Sequence, residues 1–558
     1  MYACVRGALR LLLLCVACLL PLGAVVHAAE QQAAAIASAH PLATAAGHEI
    51  LGRGGNAFDA AVAIAAVLAV VEPYSSGLGG GGFFLLHRAR DGYQVMVDGR
   101  ETAPGGVKRE MYVGADGKPV PGATVRGGTA AAIPGAAAAL VHVAGRYGAL
   151  PLAEALAPAI RHARDGFAVD RRYARIAAVR ERLLQDGAGT SGIFLDGKRA
   201  PRAGWLLRQP ELAGTLERLA SEGRSGFYAG PVARALVESV IRARGMWRLS
   251  DLEGYRVIER APLRFRYRGA EITTAPLPSA GGIALAQCLN MLEHFSLADS
   301  RSPGGAHLVA ETLRRAFHDR ALYLGDGDFV AVPVERLASK AYAMRRAATI
   351  NPVAATRSAA PEREPASGSG NTTHLSVVDA DGNRVAATLT INLLFGAGIV
   401  ADGTGVLLNN EMDDFTLRRD TPNAFRLRGG DANAIAPGKR PLSSMAPTFV
   451  EDGKGVLVVG APGGSRIVSQ VLLAVLDYVH ARTVDLGAIV GRPRYHHQWW
   501  PDRVEIEPGG FPADWRAVIE TKGHRIETGK RRWGNMQAVF RSKQTGAARA
   551  ASDPRGLD

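Results

Sequence analysis

The texture of this chain changes at residue 371, and that break limits its fold more than any other feature. From about residue 130 to 350 the sequence is rich in Ala, Leu and Arg at helical spacing, with shorter strands expected near Leu263 to Thr274. Asn351 to Gly370 differs: Pro352, Pro361, Pro365 and Gly368 punctuate a run of Ala, Ser, Arg and Glu that ends Ser367-Gly368-Ser369-Gly370. That is the composition of a flexible, protease-accessible or self-cleaving connector. Beyond it the chain becomes strand-rich, with β-branched runs divided by turns at Asp381-Gly382, Asp452-Gly453 and Gly463-Gly464. Upstream, Pro41 opens a helical pattern that Gly54-Gly55 closes. Asn56 can cap a second helix, Ala57 to Val70, whose single charge is Asp59. A helix apolar on nearly every side is buried. The glycine run Gly79 to Gly82 then leads into strand-like Phe83-Phe84-Leu85-Leu86.

The 558 residues allow three or four domains or one large one, and 47% hydrophobic against 21% charged residues excludes overall disorder. No repeat of fixed period is present. The net charge of +14 is spread thinly, and the densest basic run, Lys530-Arg531-Arg532-Trp533, reads as a solvated turn rather than a nucleic-acid surface. At the start, Arg6 and Arg10 precede an apolar stretch from Leu11 to Val26 and small residues ending at Ala28. This is the pattern of an export signal over residues 1–28, so a periplasmic or secreted location is expected. No later stretch reaches about 18 uninterrupted apolar residues, so no transmembrane segment is expected in the mature chain. Removal of the signal takes Cys4, Cys15 and Cys18 with it. The remaining Cys288 lies in an apolar run and reads as a buried, inert thiol.

The segments Thr372 to Asp379 and Val385 to Asn392 form a hairpin candidate around Asp381-Gly382. A turn centred on Asp381 places 372 opposite 390 and 374 opposite 388, so Thr372, Thr388, Thr390 and Asn392 share one face. On spacing alone the plainer reading, a Thr-rich solvent face, is favoured.

The order of motifs changes that balance. Ser38-Ala39-His40-Pro41-Leu42-Ala43, Gly54-Gly55-Asn56-Ala57-Phe58-Asp59-Ala60-Ala61, Gly99-Arg100-Glu101-Thr102-Ala103-Pro104 and Thr372-Thr373-His374 are followed by Asn409-Asn410-Glu411-Met412-Asp413-Asp414-Phe415, Pro441-Leu442-Ser443-Ser444-Met445, Pro462-Gly463-Gly464-Ser465-Arg466 and His496-His497-Gln498-Trp499. Nearly end to end, this resembles the γ-glutamyltransferase (glutathione hydrolase) family of N-terminal-nucleophile hydrolases. The resemblance implies an α+β fold, a four-layer αββα sandwich, and a precursor that cuts itself between Asn371 and Thr372. Residues 29–371, ending in the connector at 351–371, would form the large subunit of a heterodimer, and 372–558 the small one. It implies γ-glutamyl transfer and hydrolysis on glutathione and other γ-glutamyl donors, with amino acids, peptides or water as acceptors, and no cofactor or metal. Thr372 would be the nucleophile, its freed α-amine the base, and Thr390 a hydrogen-bonding partner. Gly463 and Gly464 would supply oxyanion donors. Arg100, with Ser443 and Ser444, matches the group that holds the donor's α-carboxylate, while Asn392, Glu411 and Asp414 match the acceptors for its α-ammonium.

Two positions depart from many relatives: Glu411 stands where bacterial members often have Gln, and Phe425, in the segment 414–431 that resembles a lid loop, stands where many have Tyr. A Phe cannot donate a hydroxyl bond to Asn392, so a looser lid is expected. His496 and His497, adjacent on an extended strand, would point to opposite faces and serve packing rather than a metal. The sequon at Asn371-Thr372-Thr373 reads as coincidence. Two other activities compete with γ-glutamyl transfer. One is an acylase acting on glutaryl or similar groups, which lack the α-charges that Arg100 and Asp414 suit; poly-γ-glutamate transpeptidases form a related case. The other is a non-catalytic binding protein, which an intact Thr372 and glycine pair argue against.

Overall fold

A computed structural model describes residues 33–187, 189–359, 372–419 and 421–556. The signal segment, Asn371 and most of the connector lie outside the described residues. Residues 33–558 fall in one compact unit.

The first helices form as their sequence dictates. Helix α1 (Pro41–Gly52) starts on Pro41 behind His40, whose side chain accepts from the Leu42 amide. Helix α2 (Ala57–Val71) has a full capping box: Asn56 accepts from the amides of Phe58 and Asp59, and Asp59 accepts from the Asn56 amide. Every residue of α2 is buried.

Two six-stranded antiparallel sheets build the centre. The first contains β1 (Ala35–Ser38), β2 (Gly81–Arg88), β3 (Tyr93–Gly99) and β4 (Ile258–Arg260). The second takes β5 (Leu263–Tyr267) and β6 (Ala270–Thr274). Past residue 371, β7 (Thr373–Val378) and β8 (Arg384–Thr390) return to the first sheet. Strands β9 (Thr448–Glu451), β10 (Gly455–Gly460), β11 (Gln537–Ser542) and β12 (Ala548–Ser552) complete the second. Their orders are β1-β7-β8-β2-β3-β4 and β12-β11-β10-β9-β6-β5. The two parts of the sequence are therefore interleaved. Hairpin β7–β8 sits in the middle of a sheet whose other strands precede residue 371, and β5–β6 extends a sheet built mostly from later residues.

Side-chain alternation sorts the layers. Phe84, Leu86, Val95, Val97, Leu375 and Val377 pack toward α1, α2 and neighbouring helices. Phe83, Leu85, Met96 and Ala386 join the second sheet and its covering helices α3 (Ala280–Leu292), α4 (Pro303–Tyr323) and α5 (Arg466–His480). Between the sheets, Ser376 Oγ donates to the Gln537 carbonyl at 3.1 Å. The layers thus run helix, sheet, sheet, helix, as expected. Cys288 lies buried in α3, its thiol pushed up to about 12 by burial. Among the described residues no helix is long and apolar enough to cross a membrane.

The connector differs from its expected flexibility at its near end. Thr356 Oγ1 donates to Glu311 at 2.6 Å, the Ser358 amide donates to Asp502 at 2.7 Å, and the Ala355 amide donates to the Lys522 carbonyl at 2.6 Å. Carboxylates on α4 and in the later chain hold Thr356 and Ser358, a partnership that composition does not reveal.

Candidate active site

The hairpin register agrees with the sequence: His374 pairs with Thr388 and Thr373 with Leu389, leaving Thr372 just outside the ladder opposite the end of β8. Thr372 is 5% exposed, and its Oγ1 lies 3.5 Å from Thr390 Oγ1. Thr390 Oγ1 also accepts from the Asn392 amide at 2.8 Å. Asn392 has a left-handed backbone (φ 72), a conformation Asn tolerates better than most residues, and its side chain donates to the Asn410 carbonyl at 2.8 Å. Behind this corner the glycine run lets two backbones touch: a Cβ on Gly80 would run into the Thr390 carbonyl.

Thr372 opens onto a small cavity lined also by Arg100, Thr390, Asn392, Glu411, Asp414, Ser443, Ser444 and Gly464. Every expected site residue among the described ones lies on this cavity except Gly463, which faces the next cavity. Asn371 lies outside the described residues. Phe425, Leu427, Met445, Ser465 and Ile467 complete the lining. Sequence reasoning assigned no pocket role to the last four, although Met445 and Ser465 stand inside motifs it had singled out.

Arg100 is the hub of the charged wall. Its Nε donates to the Pro441 carbonyl at 3.1 Å, Nη1 donates to Glu411, and Nη2 donates to Asp414 at 2.6 Å. Glu101 stands 3.4 Å away. The guanidinium, expected to offer its fork to a ligand, is thus engaged by the acids expected to hold the opposite end of that ligand. Burial pushes Glu101 up to about 7 and raises Glu411 and Asp414 above the usual carboxylate range, against the pull of Arg100. Burial opposes the charge of Arg100, but Glu411, Glu101 and Asp414 outweigh it and hold the guanidinium protonated. Arg320 also acts on Asp414, so two guanidinium groups face three carboxyls that burial inclines to keep their protons. Sequence gave no role to Glu101, whose signal is its position beside Arg100.

Gly463 (φ 128) and Gly464 (φ 58) form the turn before α5, a conformation open to glycine. Among the described residues their amides have no hydrogen-bond acceptor, and they stand at a helix N-terminus, where N–H groups attract negative charge. The Phe425 ring lies against Gly464, where a Cβ would strike it. Instead of a hydroxyl bond, the segment is tied by its backbone: Gln498 Nε2 donates to the Phe425 carbonyl at 3.1 Å, and Asn423 Oδ1 accepts from the Phe425 and Leu427 amides. Asn423 Nδ2 donates to Asp414 at 3.1 Å, which joins the segment to the charged wall. His496 bonds Ser469 and Gln498, while His497 faces Asp502, so the adjacent imidazoles serve different partners.

Comparisons with known proteins agree with this architecture. Residues 43–558 match a family model described as gamma-glutamyltranspeptidase. The chain is 39% identical over 544 residues to the glutathione hydrolase proenzyme of Escherichia coli (strain K12), covering 96% of this chain and 92% of that protein. It is 42% identical over 519 residues to the glutathione hydrolase proenzyme of Pseudomonas aeruginosa, covering 91% and 90%. Among solved structures, a cephalosporin acylase from Bacillus halodurans superposes with a TM-score of 0.82 at 28% identity, covering 94% of each chain.

Proposed function

The chain belongs to the gamma-glutamyltranspeptidase family, and from that premise we propose that Thr372, freed as an N-terminus by cleavage of the Asn371–Thr372 bond, is the nucleophile for γ-glutamyl transfer and hydrolysis, with glutathione and similar compounds as donors. The observation that carries this reading is the meeting of Thr372 and the Arg100–Glu411–Asp414 cluster on one small cavity. A γ-glutamyl group carries an α-carboxylate and an α-ammonium. The carboxylate exchanges into the fork of Arg100 beside Ser443 and Ser444, and the released acids, with Asn392, take the ammonium.

Thr372 Oγ1 then attacks the γ-carbonyl carbon. Its proton passes to the neutral α-amine, whose ordinary pKa of about 7.7–8.0 suits a base near neutral pH. The amides of Gly463 and Gly464 are the candidates for holding the developing oxyanion. Collapse expels the leaving amine, which takes the proton and leaves a γ-glutamyl ester on Thr372. Water or an acceptor amine resolves the ester. In this reading the two pieces of one precursor form a heterodimer, and Arg6, Arg10 and the apolar run after them direct its export.

The test is intact-mass measurement of the smaller chain after acid quench during turnover of γ-glutamyl-p-nitroanilide. We expect that chain to begin at Thr372 and to gain one γ-glutamyl group. Turnover without that mass gain would overturn the ester. Cleavage of glutaryl-p-nitroanilide as fast as the γ-glutamyl substrate would favour the acylase activity of the structural neighbour instead.

A further inference from the structure

A second cavity, open and about 420 Å³ in volume, lies back to back with the first. Phe425, Gly464 and Ile467 face the Thr372 pocket, and their sequence neighbours Arg426, Gly463 and Arg466 face the second space. Eight Arg and Lys residues line it against two Glu. Both Glu are already satisfied: Glu505 pairs with Arg466 and Arg503, and Glu527 pairs with Arg503 at 2.6 Å. The basic run at residues 530–532, which in sequence looked like a solvated turn, forms one wall. Lys530, Arg531 and Arg532 make no ion pair among the described residues, and the only hydrogen bond described for them is a 3.5 Å contact from Arg532 to the Gly491 carbonyl. Arg426 is held in a left-handed conformation (φ 63), and its buried Nε has no hydrogen-bond partner. Arg172, Arg466 and Arg555 are paired with Glu72, Glu505 and the acids Glu507 and Asp553, so among the described residues the positive charge without an ion pair is concentrated at Arg426 and residues 530–532, beside the proposed oxyanion turn.

Building on the proposed γ-glutamyl transfer, we propose that this cavity is the subsite for the carboxylates of an acidic acceptor peptide. In the transfer step the peptide's neutral amine attacks the carbonyl carbon of the Thr372 ester. A C–N bond forms, the C–Oγ1 bond breaks, and the amine's proton returns to Thr372 Oγ1 by way of the α-amine. The rest of the peptide passes on the Gly463 side, where Arg426 and residues 530–532 meet its carboxylates. Arg forks suit carboxylates in geometry as well as charge.

The test uses the matured enzyme, with Glu-Glu-Glu and the near-isosteric, uncharged Gln-Gln-Gln amide as acceptors and γ-glutamyl-p-nitroanilide as donor. The quantity read is the ratio of transfer to the two peptides within each variant, so a general loss of activity cancels. We expect the wild type to favour the acidic peptide by about tenfold or more. The combined variant Lys530→Gln, Arg531→Gln, Arg532→Gln should bring that ratio close to one, and high salt should do the same. A ratio near one in the wild type, or one unmoved by the substitutions, overturns the subsite. Calorimetric binding of Glu-Glu-Glu to wild type and variant gives a readout free of catalysis. If no nitroaniline is released, the γ-glutamyl reading fails, and the calorimetry alone decides whether the cavity binds acidic peptides.

Discussion

Arg100 is buried against three carboxyls, so its substitutions separate binding from stability only when the replacements are chosen by charge. Arg100→Ala removes the one cation that pairs with all three carboxyls. The carboxyls then take up protons or stay ionised without a partner, and breaking a buried pair in this way costs about 3–5 kcal/mol. Arg100→Lys keeps the charge but loses the fork that reaches Pro441, Glu411 and Asp414 together, and hydrogen bonds to charged groups are worth roughly 1.5–3 kcal/mol. We expect kcat/KM for γ-glutamyl-p-nitroanilide to fall about ten- to a hundredfold in the Lys variant. Asp414→Asn should behave differently. Burial raises the Asp414 pKa in the folded state, so its contribution to stability is present at low pH and lost as pH rises through the folded value. A neutral Asn avoids that loss. Its denaturant midpoint at neutral pH should equal or exceed the wild type while kcat/KM still falls. A variant losing both would show that Asp414 acts mainly as structure.

At the scale of elements, the segment carrying Phe425 and the glycine turn before α5 act as one unit, because the ring occupies the space a Gly464 side chain would need. Gly464→Ala meets two obstacles: the Phe425 ring, and a left-handed backbone that costs an L-residue roughly 1–2 kcal/mol. Phe425→Ala removes only the first. A double-mutant cycle on kcat should therefore be non-additive, with Gly464→Ala costing less in the Phe425→Ala background; strict additivity would show that the ring and the turn do not communicate. Such contacts also mark where sequence reading stops. The Asn56 cap of α2 and the register of the Thr372 hairpin were legible because each is written within a few tens of residues. The charged wall was not legible from spacing, since Arg100 reaches Glu411 and Asp414 across more than 300 residues, and resemblance alone brought them together. The run at 530–532 was read as a solvated turn because the cavity it borders is completed by Arg426 and Arg466 from distant segments. The connector's near end was read as flexible because its anchors, Glu311 and Asp502, lie far away in sequence.

At the scale of the whole molecule, the strand order determines what a cut before Thr372 does. Within the first sheet β7 lies between β1 and β8, and β8 lies between β7 and β2, so the later chain shares two strand interfaces with the earlier one. In the second sheet β6 pairs with β9 through Thr274 opposite Thr448 and Ile272 opposite Val450. Cleavage would remove one peptide bond and none of these ladders. The two pieces should therefore remain together without a covalent link, co-eluting as a single particle in native size exclusion and separating only on denaturing gels. Their unfolding should be one cooperative transition in which both chains melt together, because neither holds a complete sheet alone. Thr372→Ala should remain a single chain with the same native elution volume and no activity. Separation of the cleaved pieces under native conditions, or melting of one before the other, would contradict the interleaving. So would an uncleaved Thr372→Ala protein that eluted as a more expanded species, since the ladders, and not the cut, set the compact form.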